Sequence, residues 1–461
     1  MSDKRQKNQL ELALFAGQRS EAPKTAAQGT ESPMTEHRPE NPASPEQLME
    51  EVCQPDNLRQ AHRQVRRNGG SPGIDGMTVD KMPDHLRIHW QDMRSQMLLG
   101  TYQPQPVKRV AIPKPGGGTR NLGVPTVLDR FIQQAILQVL QKRWDPTFSE
   151  HSYGFRPGRS AHQAIRAAQK HIAQGHRIVV DMDLEKFFDR VNHDLLMERV
   201  ARRIIDKRML KLLRSFLNAG VMENGLVGPT DEGTPQGGPL SPLLSNIMLD
   251  DLDRELERRG HRFARYADDC NIYVKSRRAG ERVMESIGRY LSAKLKLTIN
   301  KGKSAVARPS ERKFLGFSFT IGKTPKRRIA PQALLRYKER VRETTRSAKG
   351  MDIKRTIEKL APYLIGWRGY FGHCETPTVL ERLDQWTRRR LRSVMWRQWK
   401  QGHRRFAELT KRGVSRNVAA QTAGSAHGPW RLSNSPALAI ALPNAYFAAM
   451  GLPPLTAQRP A

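Results

Sequence analysis

Apolar residues return along this chain with two different periods, and each change of period marks an element. Over residues 126–139 they recur at helical spacing, whereas residues 178–184 (IVVDMDL) form a β-branched run that predicts a buried strand. Residues 107–112 also read as a strand, followed by the tight glycine turn of a hairpin at 116–118. A helix is expected over 188–200. Residues 239–259 open on a proline turn and continue as a long helix, apolar in its first half and charged in its second. Residues 262–275 (RFARYADDCNIYVK) alternate like a hairpin whose turn is the acidic pair. A strand pair is expected over 294–308 and a short strand over 314–321. Beyond Pro325 the pattern changes to basic helices at 332–346, 352–360 and 378–400. This order predicts an α+β body followed by helices.

The ends read differently. Residues 1–45 are rich in Pro, Gln, Ser, Thr and Glu, with one apolar patch at 10–15, and are expected to be a disordered, solvated tail. Ser44, Pro45 and the polar pair after them look like a helix cap and first turn. Residues 66–75 (RRNGGSPGID) form a Gly/Pro loop with a basic lead-in. Pro, Gly and Ser become dense again after Gly413. The expected divisions are therefore 1–45, 46–322, 323–412 and 413–461.

Charge adds a partner. The 461 residues carry 79 Lys+Arg against 45 Asp+Glu, a net +34. Such self-repulsion is relieved by a polyanion, and phosphate backbones are the usual one. No apolar run approaches the ~20 residues that span a bilayer; the most apolar stretch, 436–450, is broken by Pro443 and Asn444. Cys53, Cys270 and Cys374 are too few and too scattered for a disulfide scaffold or a Cys-rich zinc module. With no signal-peptide core at the start, a cytoplasmic setting is expected.

Against this basic background three carboxylates stand at strand ends: Asp183, then Asp268 with Asp269. The period of two puts Val179, Asp181 and Asp183 on one strand face, so Asp181 competes with Asp183. Asp268 and Asp269 would point apart in a straight strand, but a tight turn can swing both to one place. Carboxylates gathered so closely repel unless a cation neutralises them. Oxygen donors without Cys or His select Mg²⁺ or Mn²⁺. Two such ions roughly 4 Å apart are a device for in-line phosphoryl transfer. An Asp-Asp pair alone is equally at home in a solvated turn, so its surroundings must decide.

Those surroundings resemble the group II intron reverse transcriptases. The blocks run in order: RRNGGSPGIDGMTV (66–79), IPKPGGGTRNLGVPTVLDR (112–130), SYGFRPGRSAHQAI (152–165), VVDMDLEKFFDRVNHDLL (179–196), GTPQGGPLSPLLSNIML (233–249), RYADD (265–269), LTINKGKS (297–304) and FLGF (314–317). YLIGWRGYFGH (363–373) is similar to the maturase, or thumb, segment of that family, and residues 428–455 to the tail of its bacterial members. The resemblance spans about residues 46 to 461. It implies right-hand polymerase fingers and palm over 46–322, a helical thumb or maturase domain over 323–412, and a nucleic-acid-binding segment over 413–461, with DNA as its ligand.

Roles follow from the same resemblance. Asp183, Asp268 and Asp269 would hold two Mg²⁺ ions together with the backbone of Leu184; FFD beginning four residues after Asp183 favours it over Asp181. Phe188 would lie under the sugar and reject a 2′-hydroxyl, with simple core packing as the alternative, stronger for Phe187. Lys114 and Arg120 flank the glycine turn that closes over the triphosphate, and cations on a mobile loop suit that task. Gln236 lies beside two glycines that let backbone approach the nascent pair. Arg156 and Arg159 could grip template phosphates or be ordinary surface cations. Trp367, Trp386, Trp396, Trp399 and Trp430 alternate with arginines, including Arg388, Arg389 and Arg390. Most of these rings are expected in a helical core, with the arginines outward on RNA. The room and the cysteine set for an HNH nuclease are missing after Gly413. The resemblance thus implies an intron-encoded enzyme without that domain, its partners being intron RNA, target DNA with a primer, and dNTPs, acting at the bacterial nucleoid.

Overall fold

The computed structural model describes residues 47–113, 118–223, 226–228, 232–233, 237–346 and 350–456, with Arg120 by its backbone alone. The expected tail over 1–45, Lys114 and Gln236 lie outside the described residues, as does the side chain of Arg120. The described chain gathers into two compact units, one of residues 47–164 and 180–306, the other of 165–179 and 307–456.

The first unit is mixed α+β. Strands β1 (Val107–Pro113) and β2 (Thr119–Val124) form the expected hairpin, in register from Lys108–Val124 to Pro113–Thr119. A second hairpin, β4 (Val221–Glu223) with β5 (Leu226–Gly228), joins it through a parallel β1–β4 pairing, giving the order β2-β1-β4-β5. The helix Val127–Trp144 is a turn longer than its sequence pattern suggests. Thr126 caps it, its Oγ1 accepting from the Asp129 N–H at 3.1 Å. Phe131, Ile132, Ala135, Ile136, Val139 and Leu140 bury its inner side.

The other sheet of this unit carries the chemistry. Its order is β6-β7-β3-β8, with β3 at Ile178–Asp183, β6 at Arg262–Tyr266, β7 at Asp269–Val274 and β8 at Ala305–Ala307. The helix Ser241–Arg258 backs it. Its charged second half still keeps Leu249, Leu252 and Leu256 buried, while Glu255 pairs outward with Arg258 and Arg259. Two expectations change here. The helix expected over 188–200 is a 3₁₀ turn, Phe187–Asp189, followed by the helix His193–Ala201, because Asn192 caps a fresh start by accepting from the Leu195 N–H at 2.9 Å. The strand pair expected over 294–308 is a π-turn at Leu291–Leu295, a single bridge from Ile299 to Leu184, and β8. Thr298 and Asn300 bond to the backbone at the end of β3, while Lys303 and Ser304 turn back onto the Asn300 carbonyl.

The second unit is helical apart from the pair β9 (Phe317–Phe319) and β10 (Arg327–Ile329). Its helices include Pro331–Arg346, Ile353–Phe371 and Thr378–Gln398; the second runs 11 residues past its expected end through Pro362. One core gathers Tyr337, Leu360, Leu364, Trp367, Leu380 and Leu383 with Leu455. Another gathers Ile357, Leu391, Trp396 and Trp399 with Leu409, Leu438, Leu442 and Phe447. Residues beyond Gly413 therefore complete the core of the long helices, and no division of the core falls at 413.

Candidate active site

Strand β3 delivers Asp183 at its last position, and the turn between β6 and β7 delivers Asp268 with Asp269. Val180 and Val274 both approach Gly280, each 3.4 Å from where a Cβ on that glycine would stand. Burial pushes the Tyr273 phenol and the Cys270 thiol up, and the Asp181 carboxylate adds to both. β3 and β7 are hydrogen-bonded neighbours in this sheet. Asp183 thus closes a strand directly beside the one that Asp269 opens.

Burial separates the two aspartates of β3. Asp181 is buried, whereas the Asp183 side chain is 40% exposed. The Asp183 N–H donates to Ser304 Oγ at 2.9 Å, and its carbonyl accepts from the Asn300 N–H at 2.8 Å. The Glu185 N–H donates to the Thr298 carbonyl at 2.8 Å, so this pairing flanks Leu184 without engaging its carbonyl. The LTINKGKS block thereby wraps the end of β3, and it brings Lys303 Nζ to 3.4 Å from Asp183 Oδ2. A cation already stands against the exposed carboxylate.

Among the described residues no three Asp, Glu, His or Cys groups converge into a metal centre. The donor chemistry nevertheless fits Mg²⁺: carboxylates and a main-chain carbonyl, hard oxygens, on neighbouring strands of one sheet in a basic protein. The turn itself is unusual, since Ala267 has φ 57°, a left-handed conformation costing a non-glycine residue about 1–2 kcal/mol.

The surrounding blocks take definite places. Phe187 is buried and Phe188 half-buried, their rings meeting edge-on with centroids 5.2 Å apart. Gly233 packs on the backbone there: a Cβ would lie 2.8 Å from the Phe188 carbonyl oxygen. The glycines after Gln236 are closely packed. A Cβ on Gly237, whose φ is 139°, would stand 2.5 Å from the Gly123 carbonyl oxygen, and one on Gly238 2.5 Å from Gln133 Oε1.

Arg156 is a correction. Its side chain is 3% exposed, and it donates through Nε to Asp145 Oδ1 at 2.8 Å. It also donates to the carbonyls of Ser149, Ser152 and Asp145 at 2.7, 3.0 and 2.7 Å. A guanidinium so buried, with four of its five N–H groups spent on residues 145, 149 and 152, holds its own loop. Arg159 pairs with Glu150 at the surface and lies over Tyr153. Arg388, Arg389 and Arg390, expected to point outward, are each half-buried. Arg388 faces Asp384 at 3.8 Å, Arg389 lies 4.1 Å over the Trp430 ring, and Arg390 Nε donates to Thr345 Oγ1 at 3.0 Å. Trp367, Trp396 and Trp399 are buried, as expected of core rings, while Trp430 is 38% exposed. Sequence reasoning passes over Arg265, a cation wholly buried behind the acidic turn.

A family model described as reverse transcriptase (RNA-dependent DNA polymerase) matches residues 112–319, and the group II intron maturase-specific domain matches 334–413. Protein YkfC of Escherichia coli K12 is 35% identical over 301 residues, covering 57% of this chain and 79% of YkfC. The group II intron-encoded protein LtrA of Lactococcus lactis subsp. cremoris is 31% identical over 288 residues, 48% of each chain. The chain belongs to the group II intron reverse transcriptase and maturase family. As such it is an RNA-directed DNA polymerase by class, its α+β unit carrying the polymerase blocks and its helical unit the maturase domain. The match reaches about half of LtrA's length. Among solved structures, a partial Cas6-RT-Cas1–Cas2 complex is 27% identical, covering 53% of this chain and 42% of that one at a TM-score of 0.35.

Proposed function

We propose that this protein copies RNA into DNA with two Mg²⁺ ions, Mn²⁺ being able to replace them, and binds its own intron RNA to assist splicing and retromobility. The observation that supports the polymerase reading is that Asp183 closes β3 while Asp269 opens β7, its neighbour in the β6-β7-β3-β8 sheet, directly after Asp268. These three carboxylates and the Leu184 carbonyl would hold the cations. The chemistry supplied by two such ions is activation of a primer hydroxyl and neutralisation of charge at the leaving group. The chain's own residues orient the reactants. Phe188 sits under the incoming sugar, half-buried and backed by Phe187. Lys114 and Arg120 close on the triphosphate, and Gln236 borders the nascent pair. A DNA primer, dNTPs and target DNA are the further partners this reading requires, with action at the nucleoid. No helix among the described residues is long and apolar enough to cross a membrane.

The maturase reading draws on the helical unit. Burial and then the fields of Arg397, Arg342 and Arg346 hold the Arg390 guanidinium below its ordinary value. Cations crowded together without a carboxylate are stabilised by a polyanion. Lys338 and Arg342 lie over Trp386, 5.8 and 5.6 Å from its centroid, a mixture suited to phosphate contact beside base stacking. Asp268→Asn tests the pair of activities. Asparagine keeps the shape and removes the charge, so dTTP incorporation on poly(rA)/oligo(dT) should be abolished while intron RNA binding persists. Incorporation within tenfold of wild type would overturn the reading.

A further inference from the structure

The acidic turn rests on a buried cation. Arg265 is 1% exposed, and each of its five N–H groups is used. Nε donates to Asp253 Oδ1 at 2.7 Å and Nη2 to Asp253 Oδ2 at 2.5 Å. Nη2 also donates to Ser152 Oγ at 2.8 Å, and Nη1 to Asn246 Oδ1 at 3.0 Å. The last bond matters most for the turn: Nη1 donates to the carbonyl of Ala267 at 2.9 Å. Ala267 is the left-handed residue immediately before Asp268. Its partners are equally fixed. Asp253 and Asn246 are both fully buried on the Ser241–Arg258 helix, and Asn246 Nδ2 donates to the Gly154 carbonyl at 2.8 Å. Gly154 in turn lies against the turn so closely that a Cβ would stand 2.3 Å from the Ala267 nitrogen.

A buried ion pair is seldom needed for stability, because apolar residues of similar volume can replace it without loss. What apolar residues cannot do is hold a carbonyl in a conformation that alanine disfavours. We propose that Arg265, locked to Asp253 and Asn246, is a positioning residue that fixes the left-handed Ala267 and so the direction in which Asp268 and Asp269 leave the turn. The inference rests on the reading of those two residues as catalytic carboxylates, and it assigns the preceding arginine a part in the reaction without contact to any reactant. It also gives the helix Ser241–Arg258 a second task beside backing the sheet.

The test uses the full chain in two variants. Arg265→Met with Asp253→Leu exchanges the whole pair for apolar residues, and Asn246→Ala leaves the pair intact while cutting its tie to Gly154. Three quantities are read: thermal melting, hydrogen exchange of the turn amides, and kcat and KM for dTTP on poly(rA)/oligo(dT). The double variant should melt cooperatively, exchange the turn amides at least tenfold faster, and lose about 100-fold in kcat with KM for dTTP within threefold of wild type. Asn246→Ala should shift exchange and kcat in the same direction by about tenfold. A role in stability alone would lower the melting temperature and leave kcat per folded molecule unchanged. Wild-type exchange and kcat in every variant that folds would overturn the proposal; should the double variant fail to fold, Asn246→Ala decides it. Asp268→Asn measured in parallel separates the two ideas. Retained incorporation there would overturn the catalytic reading, whereas the exchange data judge the positioning on their own.

Discussion

Arginine serves the two units of this protein in opposite ways. Behind the acidic turn, Arg265 is buried against Asp253 with every donor satisfied, and Arg156 is nearly as enclosed. In the helical unit some guanidiniums lie over rings instead: Arg389 over Trp430 at 4.1 Å and Arg405 over Trp396 at 4.8 Å. A guanidinium inside a carboxylate pair is neutralised and can only shape its surroundings. One that covers an aromatic face keeps its charge and its N–H edge for another partner. Arg390, half-buried in the same unit, bonds to Thr345 through Nε. The same residue type therefore stands saturated beside the acidic turn and stacked on rings in the helical unit.

The contrast is open to attack from several sides. The largest effect should come from Gly154→Ala, because its Cβ meets the Ala267 backbone at 2.3 Å and the turn has to move. Primer extension should fall by more than 100-fold. Gly369→Ala in the helical unit, where nothing lies within 4 Å, should leave extension unchanged and raise the stability of its helix by about 0.5–1 kcal/mol in a chemical melt. Equal losses from both would erase the distinction between the units.

Next in size is Phe188→Ala. Removing a half-buried ring from under the sugar should cost discrimination against ribonucleotides about 10- to 200-fold, read as the ratio of kcat/KM for dTTP and UTP. Unchanged discrimination in a folded variant would make Phe188 a partner of Phe187 and nothing more.

Replacing Arg388, Arg389 and Arg390 together by Ala sharpens the other side. Intron RNA binding should weaken, its log–log salt slope falling by about 0.7–0.9 for each phosphate no longer neutralised. Extension on a short artificial template should change much less. Full RNA affinity with lost extension would move these arginines to a clamp on the primer–template duplex. The smallest expected effect is Trp430→Ala, which removes one ring from Arg389 and should cost about 0.5–1 kcal/mol in a denaturant melt.

How far the sequence could be read depended on whether the deciding contact was local. Asp183 was legible because a period of two and a fixed distance to FFD both act along the chain. The turn at Asp268 was legible because strand alternation breaks there. The 294–308 segment was misread because its partner is the end of β3, more than 100 residues away, and no local pattern announces it. Arg156 looked like a surface cation since its acceptors, the carbonyls of residues 145, 149 and 152, carry no signature in sequence.

Arg265 and Asp253 did leave a trace. Arg265 shares a strand face with Phe263, and Asp253 lies on the stripe of Leu249, Leu252 and Leu256; each is a charge at a core position. Two opposite charges so placed predict one another, since neither is stable in a core alone.

The central claim is that Asp183, Asp268 and Asp269 hold divalent cations at one end of the sheet. Mn²⁺ binding followed by electron paramagnetic resonance, on the full chain with primer–template and a non-hydrolysable dTTP analogue, tests it most directly. Wild-type protein should immobilise two ions, and Asp183→Asn with Asp268→Asn should immobilise none while still binding intron RNA. Undiminished Mn²⁺ binding by that double variant would contradict the account.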